Sequence, residues 1–158
     1  MIEILQATDW PRLKKLRIAA LKDAPDAFAS TLEYALALSD SEWEEGLQVL
    51  PTFVIKSKHK DMGFVRCEPD KKDRSQVFLI SLWVDPKARG QGLGEELVQA
   101  SVAWAREARY EQLLLDVAIE NSAAVGLYKK LAFKSTGETG AMAYPRQYIV
   151  EQRMVLKL

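Results

Sequence analysis

The chain has few residues that could form covalent or metal cross-links. Its 158 residues include one cysteine, Cys67, and one histidine, His59. A single cysteine excludes a disulfide within the chain and favours a reducing compartment. No cluster of histidine, cysteine and carboxylate has metal-ligand spacing, and a chain of this length can bury about 70% of its unfolded surface without such cross-links. We predict no metal, an inert Cys67 buried on a strand, and a solvated His59 in a turn.

Net charge and long apolar runs are also missing. The chain has 22 Lys and Arg against 22 Asp and Glu, and it has no basic run of the kind found in nucleic-acid-binding proteins. No stretch approaches the roughly 20 apolar residues that a membrane span needs. The first residues, MIEILQATDWPRL, do not have the basic-then-apolar pattern of a secretion signal. We therefore expect no nucleic-acid partner, no membrane insertion and a cytoplasmic location.

The N-terminal third predicts one strand followed by two helical stretches. Alternating residues at Ile2 to Ala7 predict the strand, and the helical spacing of WPRLKKLRIAALKDA predicts the first helix. The second stretch includes SEWEEGLQVL, in which Ser41 and Glu44 have capping-box spacing.

The rest of the chain predicts six strands and two helices. TFVIKS and GFVRCE predict a hairpin joined by KHKD. VFLISLWV is apolar on both faces, which is typical of a central strand, and QLLLDVA predicts another buried strand. NSAAVGLYKKLAF predicts a short helix, and KSTGE and YIVEQRMVLKL the last two strands. The order β-α-α-β-β-β-α-β-α-β-β indicates a single mixed α/β domain over residues 1–158.

Three glycines alternate at positions 90, 92 and 94, between VFLISLWV and a predicted helix of about fifteen residues. The first N–H groups of a helix are unpaired, and its N-terminus carries a partial positive charge. Glycines let an anion approach those groups, and Arg89 adds a positive charge. The dinucleotide fingerprint fails because Glu95 stands at its third glycine, and no Lys-Ser or Lys-Thr pair completes a P-loop. The stretch predicts an anionic ligand at residues 89–94, and the alternative is a tight turn that binds nothing.

LWVDPKARGQGLGEELVQA resembles the acetyl-CoA-binding motif of the GNAT (Gcn5-related) N-acetyltransferases. In that family Q/R-x-x-G-x-G/A follows a central strand, and the matching positions here are Arg89, Gly92 and Gly94. Downstream, DVAIENSAAVGLYKKLAF resembles the family's second cofactor segment. The resemblance covers most of the chain. It implies a mixed, mostly antiparallel central sheet flanked by helices, with two splayed central strands, and acetyl-CoA as the co-substrate.

The resemblance also implies roles for individual residues. The backbone of the central strand would pair with the pantetheine arm, and an N–H at or beside Val84 would polarise the thioester carbonyl. The glycine turn would hold the pyrophosphate. Tyr128 would give a proton to the departing thiolate, although packing against Phe133 is the alternative. The expected cofactor-binding residues are Leu82, Trp83, Val84, Arg89, Gly90, Gln91, Gly92, Leu93, Gly94, Asn121, Ala124, Tyr128 and Lys130.

The chain departs from the family pattern in two places. Ala132 stands where the family often has glycine at a left-handed helix end, which implies mild strain or a different turn. The central strand lacks the glutamate with which some members deprotonate the amine, and Phe78 lies near that place. The remaining candidates for the base are Glu33, Asp85, Glu44, Ser81 or a chain of water. We favour Glu33 acting through water, and a solvated surface carboxylate is the alternative reading of that residue.

These features together predict an N-acetyltransferase that moves the acetyl group of acetyl-CoA directly to a primary amine of a small molecule or peptide. A non-catalytic acyl-CoA-binding or sensing module, and another nucleotide-binding enzyme that reuses the glycine turn, are alternatives. Members of the family are often dimers, so a homodimer is one expectation. Residues that could frame the acceptor pocket, or else simply pack or lie on the surface, are Phe28, Tyr34, Trp43, Tyr144, Arg146 and Tyr148.

Overall fold

One seven-stranded sheet organises the chain, and the computed structural model describes all 158 residues. The strand order is β1-β2-β3-β4-β5-β7-β6. Only β4 and β5 run parallel, and every other neighbouring pair is antiparallel. The strands are β1 Ile2–Ile4, β2 Thr52–Ser57, β3 Lys60–Pro69, β4 Gln76–Val84, β5 Gln112–Ala118, β6 Lys134–Ala141 and β7 Val150–Lys157. The predicted mostly antiparallel mixed sheet is confirmed.

Five helices flank this sheet, one more than predicted. They are α1 Trp10–Asp23, α2 Leu32–Ala37, α3 Asp40–Val49, α4 Leu93–Glu107 and α5 Ser122–Lys130. The second predicted helical stretch is divided because Leu38 is extended and ends α2.

The capping box of α3 lies two residues earlier than predicted. Ser39 accepts a hydrogen bond from the Glu42 N–H at 3.2 Å, and the Glu42 carboxylate accepts from the Ser39 N–H at 2.8 Å. The pair Ser41 and Glu44 has the same spacing, and for that reason the sequence pattern alone selected the wrong pair.

The connection between β2 and β3 is shorter than predicted. Ser57 pairs with Lys60, so only Lys58 and His59 form the turn instead of the four residues KHKD. Both have positive φ, +50° and +67°, as a two-residue turn of the hairpin type requires. His59 is exposed there, in agreement with its predicted place.

The two faces of the sheet carry separate cores. On one face α4 and α5 cover a cluster that includes Cys67, Leu97 and Tyr128. On the other face α1, α2 and α3 cover a cluster that includes Leu16, Trp43 and Trp83. Because β4 contributes Leu79 to the first cluster and Trp83 to the second, it is the two-sided central strand that its sequence predicted.

Cys67 is fully buried, and burial raises the pKa of its thiol to about 11. At neutral pH it is therefore an uncharged thiol away from solvent, which agrees with the predicted inert cysteine.

Ala132 follows the C-terminal end of α5 with φ +72°. This is the left-handed region, which costs an L-residue roughly 1–2 kcal/mol. Of the two outcomes expected at this position, the structure has the strained one.

Substituting Ala132→Gly should therefore stabilise the protein by about 1 kcal/mol and raise Tm by about 2–4 °C. The matched control is Ala19→Gly on the exposed face of α1, where the same chemical change should destabilise by about 1 kcal/mol. Thermal melting of the two variants measures both effects. A fall in Tm for Ala132→Gly would show that the left-handed conformation costs nothing here.

Candidate active site

A gap opens between the two parallel strands at the centre of the sheet. β4 and β5 pair only from Gln76 with Gln112 to Phe78 with Leu114. β4 then continues to Val84 and β5 to Ala118 without further pairing between them. Edges that face each other unpaired can accept an extended ligand as an additional strand. The splayed central strands implied by the resemblance are thus present.

A bulge on β4 accompanies this separation. The register between β3 and β4 shifts between Phe64 and Arg66, opposite Ser81, whose φ is +57°. Bulges increase the local twist and turn a strand away from its neighbour. The bulge therefore lies where β4 parts from β5.

Val84 presents its backbone to the gap. The Asp85 N–H donates to the Met62 carbonyl on β3 at 2.7 Å. Because hydrogen-bonding groups alternate along an antiparallel strand, the peptide groups of Val84 point the other way. Its carbonyl already accepts from Arg89 Nε at 3.0 Å, which leaves its N–H as the donor that faces the gap.

The glycine turn joins β4 to α4 and carries a row of unpaired donors. Gly90 and Gly92 have φ +76° and +81°, and Gly92 begins α4 without a side-chain cap. No group of the chain accepts a hydrogen bond from the N–H groups of residues 90–95. A Cβ at either glycine would meet no atom within 4 Å, so the space above the turn is open. Unpaired amides at a helix N-terminus form a cradle for an anion.

Arg89 stabilises this turn through contacts with α1 and β4. Its guanidinium forms an ion pair with Asp23 at the end of α1, and Asp23 also accepts from the Trp83 indole N–H at 2.9 Å. The bonds from Trp83 and Arg89 lower the pKa of Asp23. The Trp83 side chain is buried on this side, so its predicted contact with a cofactor would have to be made by its backbone.

The predicted residues of α5 lie beside the same turn. An ideal Cβ on Gly94 would lie 3.7 Å from Leu127 of α5 and 3.8 Å from Val84 of β4. Asn121 caps α5 by accepting from the Ala124 N–H at 3.2 Å, and Lys130 forms an ion pair with Glu95 of α4. Gln91 is exposed and Leu93 is half-buried. These contacts place Leu127 and Lys130 of α5 beside the glycine turn and the start of α4.

Tyr128 is the buried acid candidate of α5. Its side chain is only 6% exposed, and its ring meets Phe133 edge-on at 5.7 Å between centroids. Burial raises the pKa of the phenol above its ordinary value. Tyr128 therefore carries its proton at neutral pH, as a proton donor must.

The comparisons with known proteins agree with this geometry. A model of the acetyltransferase (GNAT) family matches residues 13–133. The chain belongs to the GNAT acetyltransferase family. Human N-acetyltransferase 8B is 35% identical over 92 residues, a match that spans 55% of this chain and 40% of the human protein. The chain thus matches less than half the length of this relative.

Solved structures show that the fold of this GNAT chain is shared along nearly its whole length. Ribosomal-protein-alanine N-acetyltransferase from Brucella melitensis superposes with a TM-score of 0.83 at 20% identity, covering 100% of this chain and 99% of that one. Spermidine N-acetyltransferase from Vibrio cholerae, in complex with CoA and spermine, gives 0.78 at 17% identity, covering 99% and 94%. The predicted family and fold are confirmed.

Two arginines lie near the bulge of β4, on the face of the GNAT sheet that α1, α2 and α3 cover. Arg17 of α1 donates to Ser81 Oγ at 3.1 Å. Arg66 of β3 donates to Thr52 Oγ1 at 3.1 Å and to the Gly46 carbonyl at 3.0 Å. Neither arginine was predicted from the sequence, although an arginine inside the apolar strand GFVRCE is a detectable signal.

The aromatic residues expected to frame an acceptor pocket fall into different places. Tyr34 and Trp43 line a cavity with Arg17 and Arg66, and Phe28 is buried. Tyr144 and Tyr148 are 86% and 72% exposed.

Arg146 was expected on the surface or against an anionic acceptor. Backbone carbonyl groups of the chain occupy its guanidinium instead. Its guanidinium donates to the carbonyls of Pro25, Phe28 and Ala29. It thereby fastens the connection between β6 and β7 onto the segment between α1 and α2.

The side chains considered as the base differ in their exposure and in their hydrogen bonds. Glu33 is exposed on α2, and the Asp85 carboxylate accepts from the Lys87 N–H at 2.9 Å. Glu44 is half-buried on α3, and the Ser81 hydroxyl is engaged by Arg17. None of these positions identifies a base.

Glu151 is a carboxylate that was not predicted from the sequence. It lies on β7 opposite Ala118, the last residue of β5, which is the strand on one side of the gap. Burial raises its pKa, the charge of Asp116 raises it further, and Arg146 opposes the rise. A half-buried carboxylate of this kind is a candidate proton acceptor.

No group of three or more His, Cys, Asp or Glu side chains is close enough to hold a metal ion. None of the helices combines the length and apolarity that crossing a bilayer requires.

Proposed function

We propose that this GNAT protein is an N-acetyltransferase that uses acetyl-CoA as co-substrate and acetylates a primary amine of a small molecule or peptide. The observation that carries the proposal is the row of unpaired N–H groups at residues 90–95 beside the unpaired edge of β4. The row suits a pyrophosphate, and the edge suits the amide groups of an extended pantetheine arm. When bound, acetyl-CoA supplies the activated acyl group.

In this proposal the cofactor and the acceptor amine bind on opposite faces of the sheet. The glycine turn, α4 and α5 lie on one face, so we place the cofactor there with Asn121, Ala124 and Lys130 near its path. The acceptor amine enters from the other face. A C–N bond forms as the C–S bond breaks, and Tyr128 gives its proton to the sulfur.

We propose Glu151 as the group that takes the proton from the amine, directly or through water. Its position opposite the last residue of β5, beside the strand that forms one side of the gap, and its raised pKa support this role. Glu33 is the base that the sequence predicts, but its exposed position on α2 gives this role no comparable support. A base at this place also weakens the case for a non-catalytic acyl-CoA-binding module, which rested on the lack of one.

The cofactor site is tested by thermal melting with acetyl-CoA. At one hundred times Kd the ligand should stabilise the protein by about 2.7 kcal/mol, which corresponds to a rise of several degrees in Tm. Gly92→Ala should lose most of this shift, because the new Cβ projects into the open space above the turn. Gly137→Ala is the matched control, since Gly137 also has a positive φ, +84°, and open space but lies on β6. Absence of any shift in the folded wild type would contradict the proposal.

The role of Tyr128 is tested with Tyr128→Phe. We expect kcat to fall by about 10²–10⁴ in a free-CoA assay on an amine that the wild type acetylates, with the acetyl-CoA shift in Tm retained. Tyr110→Phe is the control, because it removes another phenol hydroxyl on the same face of the sheet, where Tyr110 packs on Trp104. An unchanged kcat in Tyr128→Phe would remove Tyr128 from the chemistry.

The choice between the two carboxylates is tested by pH profiles of kcat/KM. Glu151 must be ionised to accept a proton, so activity should fall as pH drops through its pKa, which lies above the ordinary 4.5. Glu151→Gln should lower kcat/KM by about 10²-fold and abolish that acidic limb, while Glu33→Gln should leave both unchanged. The reverse pattern would make Glu33 the base.

A further inference from the structure

A cavity of about 340 Å³ lies between α1, α2, α3 and β3, on the face of the sheet away from the glycine turn. Its walls combine the apolar side chains of Leu13, Tyr34 and Trp43 with the guanidinium groups of Arg17 and Arg66. Ligand pockets of this size are typically apolar, with a few convergent polar groups that fix orientation.

Arg17 and Arg66 lack the ion-pair partners that three other arginines of the chain have. Arg12, Arg89 and Arg153 each form an ion pair with an aspartate. No carboxylate lies within ion-pair distance of Arg17 or Arg66. Burying a cation without an anion is unfavourable, so this cavity favours a negatively charged occupant.

Burial affects both guanidinium groups. It lowers the pKa of Arg17, and it lowers the pKa of Arg66 to about 10 with a contribution from the nearby charge of Arg17. Both remain protonated at neutral pH. Glu42 and Glu45 also line the cavity, but both are exposed and the Glu42 carboxylate is engaged by the Ser39 N–H. The charge of Glu68 partly opposes the fall in the pKa of Arg66. None of these carboxylates forms an ion pair with Arg17 or Arg66, so the chain compensates the positive charge inside the cavity only in part.

The cavity is connected to the proposed reaction centre through Arg17. Its only side-chain hydrogen bond is to Ser81, in the bulge where β4 leaves β5. Further N–H groups of the guanidinium remain available for the two oxygens of a carboxylate. A molecule that binds Arg17 through a carboxylate and carries its amine close by would place that amine beside the gap.

We propose that the amine acceptor is a small carboxylate-bearing molecule, of the size and kind of an α-amino acid with an apolar side chain. Arg17 binds its carboxylate, Arg66 adds positive charge behind it, and the apolar wall receives its side chain. This rests on the proposed function and specifies the acceptor class of that same site. A polyamine would meet two buried cations here and is disfavoured.

The test compares acceptors that differ only in this charge. We would measure kcat/KM for L-phenylalanine and L-leucine against L-phenylalaninamide and L-leucinamide. Amides have more acidic amines, so the informative quantity is the acid-to-amide ratio in a variant relative to that ratio in the wild type. Arg17→Gln should lower kcat/KM for the acids by about 10- to 100-fold, mainly through KM, and leave the amides nearly unchanged. Arg17→Lys should recover part of the loss.

Lys15→Gln is the matched control, since it removes one positive charge from the exposed face of the same helix. It should behave as the wild type with every acceptor. If acids and amides fall together in Arg17→Gln, Arg17 only fastens α1 to the bulge and the proposal is overturned. A wild type that acetylates amides or spermidine but not the amino acids would overturn it as well.

A binding measurement separates this proposal from the proposed function. We would titrate the protein with 3-phenylpropanoate and 3-phenylpropanamide, which have no amine, and follow the indole N–H signal of Trp43 by NMR. Saturable binding of the acid alone, lost in Arg17→Gln and kept in Lys15→Gln, would support the carboxylate site even if no acetyl transfer were found. Equal response to acid and amide would refute the site while leaving acetyl-CoA binding intact.

Discussion

The early end of the pairing between β4 and β5 is the constraint on which the rest of the site depends. Parallel strands in a sheet normally satisfy each other's backbone groups along their shared length. Here they stop at Phe78 and Leu114, and the strands go on separately. The bulge at Ser81, held with a positive φ, directs β4 away from β5. The separation creates unpaired edges in the interior of the sheet, which a ligand can complete as an additional strand.

Helix α1 supports this unpaired region from the other face. Asp23 at its end holds both Trp83 and Arg89, and Arg17 in its middle holds Ser81. The helix is fixed in turn by the burial of its apolar side and by the ion pairs of Arg12 with Glu3 and Asp61. Its placement therefore couples the first third of the chain to the geometry of the gap. A shift of α1 would move the arginine-lined cavity and the glycine turn together.

The parts that could be predicted from sequence are those that local patterns encode. The two-sided apolar strand β4, the glycine turn and the fifteen-residue helix α4 all follow from periodicity and turn chemistry. The parts that could not are contacts between distant segments. Glu151 matters because β7 lies beside β5, and Arg17 because α1 crosses the bulge. Neither neighbourhood leaves a local signal, and the family resemblance supplied the topology without these side chains.

Burial acts differently on the three kinds of ionisable group near the gap, and the consequence for their charge at neutral pH differs for each kind. A phenol is neutral in water, and raising the pKa of Tyr128 keeps it so. A guanidinium starts so high that even the lowered pKa of Arg66, about 10, leaves it charged. A carboxylate has a low ordinary pKa, and the rise for half-buried Glu151 makes its ionised form a stronger base. Partly desolvated positions on the two faces of one sheet can thus hold a protonated phenol, a basic carboxylate and a fixed cation at the same pH.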